Sequence, residues 1–408
     1  MRFMVKRTIE GSFAVAEVVK ECEPDVVACF PITPSTHIAE ELDNIYTNGG
    51  LKSYTAVESE FSAISMLVGA SAAGARAFTT TDSQGLALMN EVLFAAAGMR
   101  LPMVIVAANR SLSAPLSIWN DHQDTISERD SGWIQLYCKN NQEVVDTVPQ
   151  AFKISEDTCI PVMVCMDGFY LTHLVDQVDV PDKEMVQKYL PKAKKRDILD
   201  TENPITMGMY ALPKDYQNFR IDLHRDVIAA KENVKKEMLA WEEISGRRYG
   251  NGLWEEYKTE DAEYLFVGLG SLMENAELSV DKLRSEGKKV GLIAIRCYRP
   301  FPGEIVDAFK EKLGIAVFEK AVSMGADAPL YAELSAAAKE RGVDAPISSF
   351  IGGLGGKDVT VKDVEDIFGK IKNGPVKMVW GDTLPSPRKE KTGEVGASEN
   401  KNEGLGGV

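Results

Sequence analysis

The chain has 408 residues, 44% of them hydrophobic and 26% charged, which is enough apolar material for two globular domains. With 46 basic against 61 acidic residues the formal charge is −15. That balance excludes the basic face a nucleic-acid binder needs, and it slows encounter with an acidic redox partner through this chain. The N-terminal stretch MRFMVKRTIEGSFAVAEVV lacks the apolar core of a signal peptide, and no span approaches a membrane helix, so a cytoplasmic location is expected.

In chain order, apolar runs at 25–30, 54–57, 76–81, 103–108 and 161–166 predict strands. Between them, Ile38, Leu42 and Ile45 repeat at helical spacing, and 60–75 and 85–97 are apolar enough for buried helices. This alternation predicts a parallel sheet with helices on both faces, and ligands in such sheets sit at the carboxyl ends of strands. From about residue 175 to 259 the pattern weakens into a charged, proline-punctuated excursion, followed by a long solvent-rich helix from His224. A second alternating series has strands at 264–270, 289–295, 315–318 and 347–351, with helices near 273–285, 303–312, 328–341 and 361–371. The expected fold is therefore α/β, with two doubly wound parallel-sheet domains. The expected boundaries are 1–230 for the first domain with its excursion, 231–258 for a connecting helix, and 259–382 for the second. The polar, Gly-rich tail 383–408 reads as disordered.

Six cysteines stand at 22, 29, 138, 159, 165 and 297 without a C-x-x-C pair, so cluster and zinc motifs are absent. Cys29, Cys159, Cys165 and Cys297 lie in or beside apolar runs and read as buried thiols. Gly268-Leu269-Gly270 follows a strand, but Met273 stands where a dinucleotide fingerprint needs glycine. IGGLGGKD puts Ile351 at the first glycine position of a P-loop and Asp358 at its Ser/Thr position. Both read as tight turns rather than nucleotide sites.

Three segments carry the candidate chemistry. In CFPITPSTHIAEEL, Thr33 and Pro34 have the residue types of a helix N-cap and first turn, and the exposed amides there also suit a carboxylate. In VESEFSAISMLVGASAAG, Glu60 opens an apolar helix at a strand end, where it either answers the helix dipole or serves a ligand. The segment ANRSLSAPLSIWNDHQDTISERDSGW follows a central strand and packs Arg110, Asp121, His122, Asp124, Glu128, Arg129 and Asp130 into one long loop. Ile118 and Trp119 in its middle argue that part of it is buried, and the Asp121-His122-Asp124 spacing matches no metal motif.

Taken together, FPITPST, VESEFSA, TTTDSQGLALM, NRSLSAPLSIWNDHQD, ERDSGWIQLY, MDGFYLTH and IGGLGGKDVT resemble the α subunit of the pyruvate:ferredoxin oxidoreductase (pyruvate synthase) family, from about Arg7 to Asp382. The resemblance implies a thiamine diphosphate enzyme of anaerobic metabolism that decarboxylates a 2-oxoacid, sends electrons to ferredoxin and joins the acyl group to coenzyme A. It implies a pyrimidine-binding first domain and a second domain like the C-terminal domain of transketolase. It also implies β-, γ- and δ-type partner subunits that carry the Mg²⁺ and the [4Fe-4S] clusters. On this reading Glu60, Arg110 and Thr33 are catalytic, Pro31, Thr33, Glu60 and Ser83 meet the cofactor, and no residue binds metal. Consistent with that division, the chain has no Gly-Asp-Gly with a downstream Asn, and its nearest string is Asp167-Gly168-Phe169. Phe30 stands where Tyr is more usual. The Ser113-Ala114-Pro115-Leu116 segment differs from relatives acting on 2-oxoglutarate, which favours pyruvate, with 2-oxoisovalerate or oxalate as alternatives. A non-catalytic assembly subunit is the reading from a different class.

Overall fold

The structure, a computed structural model, describes residues 4–191 and 197–380, so the tail expected from residue 383 lies outside the described residues. The first part runs β1 (Met4–Glu10), α1 (Gly11–Glu21), β2 (Val26–Cys29), α2 (Thr36–Thr47), β3 (Tyr54–Ala56), α3 (Glu60–Ala72), β4 (Ala77–Thr81), α4 (Ser83–Gly98) and β5 (Val104–Asn109). It continues through α5 (Gln123–Ser127), β6 (Ile134–Tyr137), α6 (Asn141–Thr158), β7 (Val162–Asp167), β8 (Val175–Pro181), α7 (Lys183–Tyr189) and α8 (Pro213–Ser245). The second part is β9 (Trp254–Tyr257), β10 (Tyr264–Gly268), α9 (Leu272–Ser285), β11 (Val290–Ile295), β12 (Cys297–Arg299), β13 (Gly314–Glu319), α10 (Pro329–Glu340), β14 (Ile347–Ile351), α11 (Val361–Ile371) and β15 (Lys377–Val379).

Local sequence explains most of these elements. Every residue of β4, β5 and β7 is buried, and these strands are continuous apolar or small runs because helices cover both faces. The long helix α8 starts with Pro213, whose missing N–H is harmless in a first turn, and stops at Gly246 with φ 71°. It begins eleven residues before the expected start at His224. A Thr360/Asp363 capping box opens α11. The helix expected near 303–312 is a 3-10 segment, Gly303–Phe309, that follows Pro302 and anchors Ile305, Val306 and Phe309 in the core.

The fold is α/β with two doubly wound sheets, as expected. The first sheet has the order β12-β6-β7-β5-β4-β2-β3 and is parallel except for β12. The second has the order β15-β14-β13-β10-β11-β9, with only the edge strand β9 antiparallel. A separate ribbon pairs β1 with β8. The two parts are interleaved: α8 runs through residue 230, β9 joins the second sheet, and β12 returns to the first, where Cys297 faces Leu136.

One apolar core lies under α1, α6 and α8, and another lies between the second sheet and α9 and α11. A third is shared by both sheets, with Ile105, Tyr137 and Met163 of the first in one cluster with Leu265, Ile293 and Val317 of the second. A buried ion pair crosses the same border: the Arg296 guanidinium donates to Glu143 (2.8 Å) and to the Thr147 hydroxyl (2.7 Å). Five cysteines are buried, whereas Cys159, the left-handed C-cap residue of α6, is half-buried because it lies at a helix end rather than in a strand.

Candidate active site

The connection from β2 runs outward through α2 to β3, and that from β4 runs the other way through α4 to β5. The adjacent carboxyl ends of β2 and β4 are therefore the point where the winding reverses, and an open crevice is expected there. The turn after β2 carries Pro31 and Thr33, and β4 is followed by Asp82 and the start of α4 with Ser83 and Gln84.

Thr33 and Pro34 do not start the helix, which corrects the expectation for that pair. Helix α2 begins at Thr36 with Ser35 in the cap position, and the Ser35 hydroxyl donates to the Ile32 carbonyl at 2.8 Å. Two long-range bonds hold the turn out of helical register. The Ser35 N–H donates to Asp82 Oδ2 (3.2 Å), and Arg110 Nη1 donates to the Thr33 carbonyl (2.7 Å). Pro31 and Thr33 stay exposed at the rim.

Arg110, just past β5, is 6% exposed. Besides Thr33, it donates through Nε to the Ser117 carbonyl (3.0 Å) and through Nη2 to Gln84 Oε1 (3.3 Å). Asp82 Oδ1 lies 3.5 Å from Nη1, at the long limit of a hydrogen bond. Burial, reinforced by the nearby Asp124, holds the Asp82 carboxyl well above the usual range, and Arg110 only partly opposes this. Ser83 is fully buried, with φ 46°. Its hydroxyl bonds to the Ser111 carbonyl (2.5 Å) and to Gln84 Oε1 (2.7 Å). Its donor is thus turned inward, to the chain rather than the crevice.

Glu60 is the first residue of α3, after Ser59, whose side chain accepts from the Ser62 N–H. Its carboxylate is buried (6% exposed) yet takes no hydrogen bond or ion pair among the described residues. Thr81 Oγ1 is likewise buried without a partner. The two groups flank the α-carbon of Gly85: a Cβ there would stand 2.6 Å from Glu60 Oε1 and 2.5 Å from Thr81 Oγ1. Only glycine keeps this notch open. A buried carboxylate left without a protein donor fits a ligand that brings its own N–H, such as an aminopyrimidine edge.

The second sheet also reverses, between β10 and β13, and its crevice is filled by the first sheet. Asp167, at the end of β7, accepts from Ser271 N (3.2 Å) and Oγ (2.6 Å), from Lys320 Nζ (2.9 Å) and from His122 Nε2 (2.7 Å). Although burial opposes it, Lys320 and His122 hold this carboxyl far below the usual range. The second glycine turn is filled similarly. Gly355 N–H donates to Asp121 Oδ2 (3.2 Å) and Gly356 N–H to the Asn120 carbonyl (2.6 Å). Both glycine motifs bind groups of the chain itself, in keeping with their reading as tight turns. Burial raises the Asp121 carboxyl to about 6.

In the long loop Asn120, Asp121, His122, Asp124 and Thr125 are buried and hydrogen-bonded to neighbouring turns and side chains, and Ile126 and Trp133 are buried with them. Ile118 and Trp119 are exposed at 37% and 51%, contrary to expectation, because Trp119 lies on the rim against Phe169. Among the described residues no group of three or more His, Cys, Asp or Glu could hold a metal ion. Sequence reasoning missed Asp82, Gln84, Asp167 and Lys320. Asp82 and Gln84 stand inside the TTTDSQGLALM motif, but nothing local marks the other two.

Comparison with known proteins places these features in a family. Residues 17–239 match the family described as pyruvate flavodoxin/ferredoxin oxidoreductase, thiamine diphosphate-binding, and residues 262–364 match pyruvate:ferredoxin oxidoreductase core domain II. The chain is 43% identical over 381 residues to pyruvate synthase subunit PorA of Methanothermobacter thermautotrophicus, covering 92% of this chain and 98% of the relative. It is 44% identical over 389 residues to PorA of Pyrococcus furiosus, with the same coverages. It is also 41% identical over 371 residues to ketoisovalerate oxidoreductase subunit VorA of Pyrococcus horikoshii, covering 90% and 94%. Among solved structures, it resembles 2-oxoglutarate:ferredoxin oxidoreductase from Magnetococcus marinus, with TM-score 0.66 and 18% identity, over 90% of this chain and 65% of that longer one. A split-gene transketolase matches with TM-score 0.54 and 11% identity, over 90% and 99%. At these identities the likeness is one of fold.

Proposed function

The chain belongs to the pyruvate flavodoxin/ferredoxin oxidoreductase family, and from that premise we propose that it is the α subunit of a pyruvate:ferredoxin oxidoreductase (pyruvate synthase). The enzyme joins CoA-dependent oxidative decarboxylation of pyruvate to reduction of ferredoxin, reversibly. The observation that carries this reading is Glu60, a buried carboxylate without a protein partner in the winding-reversal crevice of the first sheet.

When bound, thiamine diphosphate supplies the nucleophile and the electron sink that decarboxylation of a 2-oxoacid requires. Glu60 would hold a proton at the ring nitrogen of the aminopyrimidine. Gly85 leaves the space for that ring edge, and Thr81 offers a hydroxyl beside it. Arg110 would bind the substrate carboxylate through its remaining Nη2 donor, since a guanidinium presents several N–H groups in one plane. Thr33 and Pro31 would line the entrance, Thr33 with its hydroxyl toward the substrate. Ser83, read from the sequence as a cofactor contact, supports Gln84 and the Ser111 carbonyl instead.

The proposed division of labour gives Mg²⁺, the diphosphate and the [4Fe-4S] clusters to β-, γ- and δ-type partner subunits, with ferredoxin docking on the cluster-bearing one and coenzyme A as co-substrate. A docking face is available. Helices α3 and α4 turn Phe61, Met66 and Leu88 outward, and Glu91 is the only charge among their exposed residues. No described helix is long and apolar enough to cross a membrane. The location we propose for the complex is the cytoplasm. The relatives named for ketoisovalerate keep a branched-chain 2-oxoacid as the second reading. The test is to assay the assembled complex with pyruvate, 2-oxoisovalerate, 2-oxoglutarate and oxalate, with and without coenzyme A. CoA-dependent ferredoxin reduction greatest with pyruvate is expected, and turnover with 2-oxoisovalerate alone would overturn the substrate.

A further inference from the structure

Asp124 is a carboxylate 1% exposed, with four contacts that are all donors. Its Oδ2 accepts the backbone N–H groups of Ser83 (3.0 Å) and Arg110 (2.9 Å). Its Oδ1 accepts the Thr125 N–H (2.8 Å) and Asn109 Nδ2 (2.9 Å). These donors come from the first residue of α4, from Asn109 and Arg110 at the end of β5, and from α5. One carboxylate therefore joins the two strand ends whose side chains meet where Arg110 reaches Gln84 (3.3 Å).

We infer that Asp124 is the positioning residue for Arg110, fixing where the guanidinium meets the substrate carboxylate. The inference rests on the substrate-binding role proposed above for Arg110. A carboxylate is required for the geometry. With four donors and no acceptor around it, an amide in its place sets an NH₂ group against two N–H groups in either orientation. Asn109 can turn to relieve part of this, because its Oδ1 is buried without a partner. The Thr125 N–H is backbone and cannot turn away. A mere stability role is separable, because Asp146 is an equally buried carboxylate clamp, on Arg247 and Tyr249, with no contact to the site.

The experiment compares Asp124→Asn, Arg110→Ala and Asp146→Asn in the assembled complex with pyruvate as the varied substrate. Misplacing a guanidinium by a fraction of an ångström is expected to raise KM about tenfold in Asp124→Asn while kcat stays within about threefold. Hydrogen–deuterium exchange of the complex should show the Ser83 and Arg110 amides opening about tenfold faster, since their acceptor is lost. Asp146→Asn should lower the melting temperature and leave KM unchanged. If Arg110→Ala impairs pyruvate use and Asp124→Asn leaves KM within twofold of wild type, the positioning role is wrong. Arg110→Ala without effect on any 2-oxoacid removes the underlying reading instead. Should Asp124→Asn fail to assemble, Asn109→Ala removes one donor and keeps the charge. A rise of about threefold in KM is then expected, and an unchanged KM overturns the inference.

Discussion

Replacing Asp167 with Asn tests whether the two sheets are locked by the buried cluster between them. The substitution takes the counter-charge from Lys320, which is 6% exposed and among the described residues keeps as polar partners only Asn120 Oδ1 (2.9 Å) and the face of Tyr170. It also weakens the bonds from His122 and from Ser271. Breaking one partner of a buried pair costs about 3–5 kcal/mol. Because one core contains side chains from both sheets, the chain should unfold as a unit. Its unfolding entropy is then roughly 0.8 kcal/mol/K, from about 2.1 cal/mol/K per residue. The melting temperature should fall by about 4–6 °C, read by calorimetry. Asp167→Asn combined with Lys320→Met should recover at least half of the loss, because no charge is then left buried alone. The Asp167 carboxyl is depressed in the folded state, so its contribution is complete above the unfolded value near 4 and is lost only as pH falls below that. The deficit should therefore be the same at pH 6 and pH 8. A drop below about 1 °C would refute the argument, since it would mean that desolvation of these groups cancels their attraction.

Three further outcomes are expected. Glu60→Gln should change the melting temperature by about 1 °C, as only a dipole contribution of roughly 0.3–1 kcal/mol is lost. Exchange of the C2 proton of thiamine diphosphate in the complex should nevertheless slow by orders of magnitude, and wild-type exchange would make Glu60 structural. Glu128 is buried against Asn90 (2.7 Å), and burial raises its carboxyl to about 7. A raised acid loses stability as pH climbs from its unfolded value to its folded one. Glu128→Gln should thus match wild type at pH 4.5 and gain on the order of 1–3 kcal/mol above pH 7, and a pH-independent difference in melting would contradict this. Met66→Glu, on the outward face of α3, should leave the isolated subunit folded and weaken co-purification with its partners. Intact assembly would move the docking face elsewhere.

The strands β2, β4, β5 and β7 were legible because buried parallel strands are apolar or small runs ending in turn residues, and the edge strand β3 was legible from residues 54–57 between turn residues. β6 and α6 were not. IQLY places Gln135 inside a four-residue strand, and Pro149 interrupts a segment that the structure nevertheless keeps helical. Short edge strands such as β9, β12 and β15 lack the length to show a period. At the site, Glu60 and Arg110 were readable as charges at strand ends, and their burial agrees with that placement. The inward turn of Ser83 was not readable, because it follows from a left-handed backbone fixed by Asp124, 41 residues away. Asp167 and Lys320 meet across 153 residues, and no local pattern encodes such a pair.

The return of β12 to the first sheet has a consequence for how the protein is made. Strand β6 borders β7 on one side and only β12 on the other. Until residue 299 has left the ribosome, the backbone groups of that edge face the cell unpaired, in an apolar strand suited to pairing with another chain. The first sheet cannot finish before half of the second has been synthesised. Splitting the gene between the two sheets would leave the same edge open for good, so the two halves are expected to be inherited and expressed as one polypeptide.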